Sequence, residues 1–307
     1  MQRLLSIGQL IDHTWDAYRH RFFGWMNISC WTLVGLILML VALAFYPTVS
    51  RVGVSEALAQ TSQFTNLEGF GILLYGFATI LVAPALGILI FNALVLAGRY
   101  PTQPLSFIWK SAREQFWSVI WIVVLYTAIT VGILFGGMLP GALLLLTTSL
   151  MAQPPALLSL FGGIILVAGG AIGFLYFTKW TVWYSFAPYL VLLQGKKGAQ
   201  ALMASKALVV GRFWPVFLRL MVPKMLCIVV LVVAIQCGYL ALEVVSYPLT
   251  SLLSWNRDLL LRIAVMLEQI TPVLPSILIH PFFILADVIL IQDLTNGTWN
   301  ERPNSRS

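Results

Sequence analysis

The stretch that decides the fold is KKGAQALMASKALVVGRFWPV, residues 196–216. It opens on Lys196 and Lys197 and continues through an Ala-, Leu- and Met-rich segment. It then reaches Gly211, Arg212 and the aromatic pair Phe213-Trp214, ahead of a long apolar run. The middle segment is long enough for about three to four helical turns. Lysines favour anionic headgroups, glycine interrupts a helix, and aromatic rings favour the membrane–water boundary. The stretch therefore reads as a helix on the membrane surface, a glycine break, and a chain that turns into lipid.

The composition agrees. The chain has 307 residues, 60% of them hydrophobic and only 9% charged, with mean hydropathy +0.91. A soluble domain carries about 25% charged residues, so this chain lacks the polar surface that a water-soluble fold needs. Net charge is +7. In a soluble protein that excess suggests nucleic acid; here the cations sit in loops that face anionic lipid, and no nucleic-acid partner is expected. Cys30, Cys227 and Cys237 lie in apolar runs without metal or disulfide spacing, so they read as packing residues. Asp12, His13, Asp16, Arg19, His20 and Arg21 precede the first apolar run, a pattern unlike a cleavable signal peptide.

Taken in order, residues 7–21 form an amphipathic surface helix, with Ile7, Leu10, Ile11, Trp15 and Tyr18 near a helical period. Spans are predicted at 22–46, 69–97 (interrupted at Pro84), 116–139, 156–193, 213–240 and 270–291. Residues 47–68 read as a polar loop with Arg51 and Glu56, and 105–115 as a second amphipathic segment with Lys110 and Arg113. Pro140-Gly141 breaks or bends the third span, and residues 142–151 are either its extension or a re-entrant piece. Gln153-Pro154-Pro155 is a turn. The fourth span, straight, would reach about 57 Å, so it tilts, kinks at Pro188 or projects from the bilayer. Residues 243–268, with Trp255, Arg257, Asp258 and Arg262, read as a further surface helix, and the chain turns polar from Asp293.

Orientation follows from the cations near the spans. Arg3, Arg19, Arg21, Arg99, Lys110, Arg113, Lys196, Lys197, Lys206, Arg212, Arg302 and Arg306 fall on one side, and Arg51, Arg257 and Arg262 on the other. Both termini are therefore expected in the cytoplasm. The chain also repeats. Aligning Phe22-Phe23, Phe116-Trp117 and Phe213-Trp214 sets Thr14, Ile108 and Ser205 at one position, with Ile11, Leu105 and Leu202 at a second and Ala17, Ser111 and Leu208 at a third. A pair of spans follows each, the second holding Ala83-Pro84, Ala187-Pro188 or His280-Pro281. The expected fold is an all-α polytopic membrane protein of about six transmembrane helices. They would form three parallel repeats of amphipathic helix plus helical hairpin, at about 1–99, 100–195 and 196–295, with a polar tail at 296–307, in one membrane domain.

Ionisable residues inside spans mark functional positions. They are Lys179, Arg219, Lys224, His280 and Asp287. Asp287 and Arg219 each lie roughly 10 Å in from a span end, so they can form an ion pair whose role is to neutralise charge. Lys179, Lys224 and Arg219 could together hold a lipid phosphate; the alternative is that their long side chains snorkel to the interface. Lys179, flanked by Trp180 and Trp183, leads this set. His280 lacks a nearby carboxylate or second histidine in sequence, and Asn92 is suited to bonding a neighbouring helix. Trp15, Trp109, Trp117, Trp214 and Trp255 read as interface anchors. No metal, phosphate-loop or hydrolase motif is found, so no catalytic residue, metal or cofactor is assigned.

One family shares this pattern. Ala187-Pro188, Gln194-Gly195-Lys196, the Ala-rich 201–205 and Gly211-Arg212-Phe213-Trp214 resemble bacterial proteins of the glycerophosphoryl diester phosphodiesterase membrane-domain type and the uncharacterised YciC-type inner-membrane proteins. Residues 11–23, Leu139-Pro140-Gly141 and Gln292-Asp293-Leu294 are similar as well. Gln194 and Thr295 depart from the acid and the base that the family pattern has at those places. The resemblance implies a membrane domain without the catalytic barrel. The expected function is that of a non-enzymatic protein of the bacterial cytoplasmic membrane, binding lipid, a partner protein or a second copy of itself as a homo-oligomer, in envelope or lipid homeostasis. The alternative is a transporter or lipid flippase with a basic intramembrane site.

Overall fold

A computed structural model of the chain describes residues 4–45, 66–151, 155–252 and 257–296. Arg51, Glu56, Trp255, Gln153-Pro154 and the tail from 297 lie outside them. The first helix, α1 (Ile7–His20), starts where Ser6 supplies a capping box with Gln9, satisfying two backbone donors that a helix start leaves open. It stops at Arg21, and α2 (Phe22–Ser29) begins at once. The first span continues as α3 (Thr32–Phe45) after a tightened turn, in which Leu33 and Val34 donate three residues back to Cys30 and Trp31.

The second span is α4 (Asn66–Phe77), a π-helical turn (Ala78–Val82) and α5 (Ala83–Arg99). The wide turn lies just ahead of Pro84, where the ring would clash with the carbonyl four residues back. A short turn leads to α6 (Leu105–Glu114), then α7 (Phe116–Ser149). Pro140 lies inside α7 without ending it, so residues 142–149 extend the third span rather than re-enter. The fourth span breaks, as its length requires, into α8 (Ala156–Tyr184) and α9 (Ala187–Gln194) beside Pro188. Gly195, Gly198 and Gly211 take positive φ (68°, 52° and 84°) on either side of α10 (Ala199–Val209). Those are backbone conformations that glycine adopts without strain.

The last two helices are long: α11 (Phe213–Leu252) and α12 (Arg257–Asn296). The surface helix expected at 243–268 is absent among the described residues. Leu240, Ala241, Leu242 and Glu243, all good helix formers, carry α11 onward to Leu252, and residues 257–268 begin α12. Among the described residues six stretches are long and apolar enough to cross a membrane: Phe22–Phe45, Gly69–Arg99, Phe116–Ser149, Ala156–Gln194, Phe213–Val244 and Arg262–Thr295. The protein is an all-α polytopic membrane protein.

The chain clusters into two compact units, 1–113 with 219–293 and 297–307, and 114–218 with 294–296. In the first, α12 supplies the core: 56% of its most apolar window is buried, against none of that in Phe213–Val244. Ile284, Leu285, Ala286, Val288, Ile289, Leu290 and Ile291 are buried in succession, the pattern of a helix covered all round. On the far side from the expected cytoplasmic face, Arg262 Nη1 donates to Ala44 O at 2.7 Å and to Leu43 O at 3.4 Å, closing carbonyls that the end of α3 leaves open.

The second unit is built on the α7–α8 hairpin. Gly137 and Gly141 on α7 meet Gly169, Gly173 and Leu166 on α8. A Cβ on Gly137 would lie 2.5 Å from Gly169 O, and one on Gly141 would collide with the Leu166 backbone. Both helices carry the G-x-x-x-G spacing, which lets membrane helices approach at backbone distance.

Each aromatic pair marks a helix start in the same way. Phe22, Phe116 and Phe213 begin α2, α7 and α11, and each stacks edge-on with the next ring at 5.6, 5.5 and 5.5 Å. The second ring of each pair points outward: Phe23 is 86% exposed, Trp117 75% and Trp214 68%. Eight residues upstream of each first ring Thr14, Ile108 and Ser205 are buried. Four upstream Tyr18, Ala112 and Val209 are buried, and three downstream Trp25, Val119 and Val216 are.

Candidate functional site

Hydrogen bonds tie each short helix that precedes an aromatic pair (α1, α6 and α10) to the second span of a hairpin. Tyr18 Oη on α1 donates to Leu278 O on α12 at 2.9 Å. Burial pushes the Tyr18 hydroxyl above its usual pKa, so it remains a donor. Asn92 Nδ2 on α5 donates to Ala112 O on α6 at 3.2 Å, the interhelical bond expected of it. Ser205 Oγ on α10 donates to Trp183 O on α8 at 2.6 Å. In each case the surface helix meets the hairpin preceding it in the chain, the first helix meeting the last hairpin.

In the second unit this docking gathers charge. Lys179 precedes Trp183 by one helical turn, a spacing that puts both on one face of α8. Lys206, beside the buried Ser205, approaches the same indole from α10. Each Nζ is 4.7 Å from the Trp183 ring centroid, within the reach of about 6 Å over which a ring quadrupole attracts a cation. Trp180 buttresses the site, 6.1 Å from Trp183 and 5.4 Å from Tyr184 between centroids. Lys179 and the α10 lysine thus share one ring. Both lysines are exposed, and two ammonium groups held at one ring repel each other. The sequence gives them little relief. Residues 115–242 hold Lys179, Lys196, Lys197, Lys206, Arg212, Arg219 and Lys224 but no Asp or Glu.

The other charged candidates belong to the first unit. Lys224 Nζ on α11 and Asp287 Oδ2 on α12 are 2.8 Å apart, with side chains 26% and 7% exposed. Lys224, read from sequence as part of an anion pocket, is therefore engaged by a carboxylate. Arg219, expected near Asp287, donates from Nε to Leu5 O at 2.6 Å, while Leu5 N donates to Asp293 Oδ2 at 3.0 Å. The peptide before α1 is thus clamped by a cation and a carboxylate. Asp293, expected at the start of a polar tail, is 6% exposed within α12. His280 borders a cavity of about 240 Å³ with Ser29, Thr32 and Ser276 among apolar side chains, and buried Ser29 Oγ has no hydrogen-bond partner there.

Of the expected anchors, Trp15, Trp117 and Trp214 are exposed, and Trp109 packs edge-on against Trp31 at 5.5 Å. Among the described residues no group of His, Cys, Asp and Glu could hold a metal. Lys206, Asp293 and the facing G-x-x-x-G pairs escape a reading by span content. The glycine spacing was visible in the sequence, whereas Lys206 and Asp293 acquire their roles only through docking. Comparison of the chain with protein-family models, curated proteins and solved structures yields no match.

Proposed function

We propose that this is a non-enzymatic protein of the bacterial cytoplasmic membrane, with both termini in the cytoplasm. In this reading Lys179 and Lys206, held at Trp183, bind the phosphate of an anionic lipid. The carrying observation is two exposed ammonium groups on one indole, in a 128-residue stretch, 115–242, without a carboxylate side chain. A lipid phosphate relieves the repulsion between the lysines and offers oxygens to both. The matching aromatic pairs and burial positions support three internal repeats, and with them kinship to the membrane-domain family that the sequence resembles.

The test is lipid co-purification from native membranes. Anionic lipid retained by the wild type should fall in Lys179→Ala/Lys206→Ala while neutral lipid is retained equally; unchanged anionic lipid sinks the proposal. The transporter reading draws on the Lys224–Asp287 pair inside the spans. It requires substrate flux in liposomes that is lost in Lys224→Met.

A further inference from the structure

We propose a second phosphate site, in the cleft at the break between α1 and α2, that takes the headgroup of an anionic glycerophospholipid. The cleft has a volume of about 610 Å³, within the usual range of about 300–1,000 Å³ for small-molecule sites. Arg19, His20 and Arg21 line one part of it, and Phe22, Trp25 and Ile28 give it an apolar wall. The residues lining it include no carboxylate. A guanidinium offers paired donors that match phosphate oxygens, and two stand here at successive sides of one helix break. Helix α2 begins within this cleft, and among the described residues no side chain caps it. The first N–H groups of a helix add partial positive charge at its start.

The floor favours an amphiphile over a small soluble ion. Trp25 and Ile28 are 4% and 0% exposed, and the neighbouring Phe23 is 86% exposed at the level where the first span begins. A phosphate seated at Arg19 and Arg21 would leave its glycerol and upper acyl carbons against rings and aliphatic groups. Gly24 lines the cleft, and a Cβ there would meet nothing within 4 Å, so the position has room for a larger side chain. The site lies in the first unit and shares no residue with Trp183, so the two proposals fail separately.

The experiment uses full-length protein in neutral detergent, with phosphatidylglycerol, phosphatidylcholine, glycerol 3-phosphate and inorganic phosphate as probes in native mass spectrometry. Arg19→Gln/Arg21→Gln removes the cations. Gly24→Leu fills the cleft with the charges intact and replaces a poor helix former with a good one. Both variants are made in the Lys179→Ala/Lys206→Ala background. Arg19→Gln/Arg21→Gln should weaken phosphatidylglycerol binding by about tenfold, the scale of a lost charge-assisted bond, Gly24→Leu should weaken it by occupying the space, and both should leave phosphatidylcholine unchanged. If glycerol 3-phosphate or inorganic phosphate binds with the same dependence on both variants, the phosphate site stands and its ligand is soluble. Phosphatidylglycerol binding that is unaltered in Gly24→Leu reports diffuse attraction to surface charge and overturns the proposal. So does binding of none of the phosphate probes. Wild-type-like elution and helicity of Gly24→Leu establish that the variant is folded.

Discussion

Replacing Asp287 with Asn strands a cation between α11 and α12. Lys224 and Asp287 approach to 2.8 Å, the carboxylate is only 7% exposed, and the lysine is 26% exposed. Removing one member of a buried pair costs about 3–5 kcal/mol, because the remaining charge has lost its partner but not its desolvation. Residual access at Lys224 lowers the figure, since its stem can lift the ammonium toward water. The expected loss is about 2–3 kcal/mol, roughly 30- to 150-fold in the folded-to-unfolded ratio. Reversible unfolding in mixed micelles, followed by tryptophan fluorescence, measures it. The double variant Lys224→Met/Asp287→Leu removes both charges and should return to within about 1 kcal/mol of wild type, since apolar replacement of a buried pair is often neutral. A loss below about 0.5 kcal/mol in Asp287→Asn, or single losses that simply add in the double variant, would refute the pair as a structural unit.

Other perturbations separate backbone approach from side-chain bonding. Gly169→Val places a branched side chain against the Gly137 carbonyl; the α7–α8 hairpin should splay, with a loss of about 3 kcal/mol or more on the scale of core overpacking. Gly132→Ala, with nothing within 4 Å of the added carbon, should unfold like wild type in the same assay. Ser205→Ala removes the 2.6 Å bond to Trp183 O and should cost about 1 kcal/mol. It should also raise hydrogen exchange across α10, whereas exchange at wild-type level would show that apolar packing alone docks the helix.

The elements most open to reading were those written in composition. Phe22, Phe116 and Phe213 begin helices where ring and cation preferences for the interface place them, and α10 lies between glycines at positive φ, as the break at Gly211 implied. Proline was legible as irregularity but not as its form: Pro84 follows a π-helical turn, while Pro140 passes inside a continuous α7. Membrane helices tolerate proline in several ways, and neighbours decide among them. Partners were the least legible. Lys224 and Asp287 are 63 residues apart, and their meeting depends on the rotation of two helices about their axes. Lys206 reaches the Trp183 ring that Lys179 also approaches only because the chain breaks at Pro188, turns at Gly195 and docks through Ser205. Apolar length fixes which segments cross; it does not set which faces meet.

Whether this protein holds an anionic lipid depends on what neutralises the lysines at Trp183. The measurement that addresses it most directly is an electron-microscopic map of the full-length protein in discs of native lipid. The prediction is headgroup density within about 4 Å of both Lys179 Nζ and Lys206 Nζ, the distance of a phosphate–ammonium pair, lost in Lys179→Ala/Lys206→Ala. Empty solvent around both lysines beside well-ordered lipid elsewhere would contradict it.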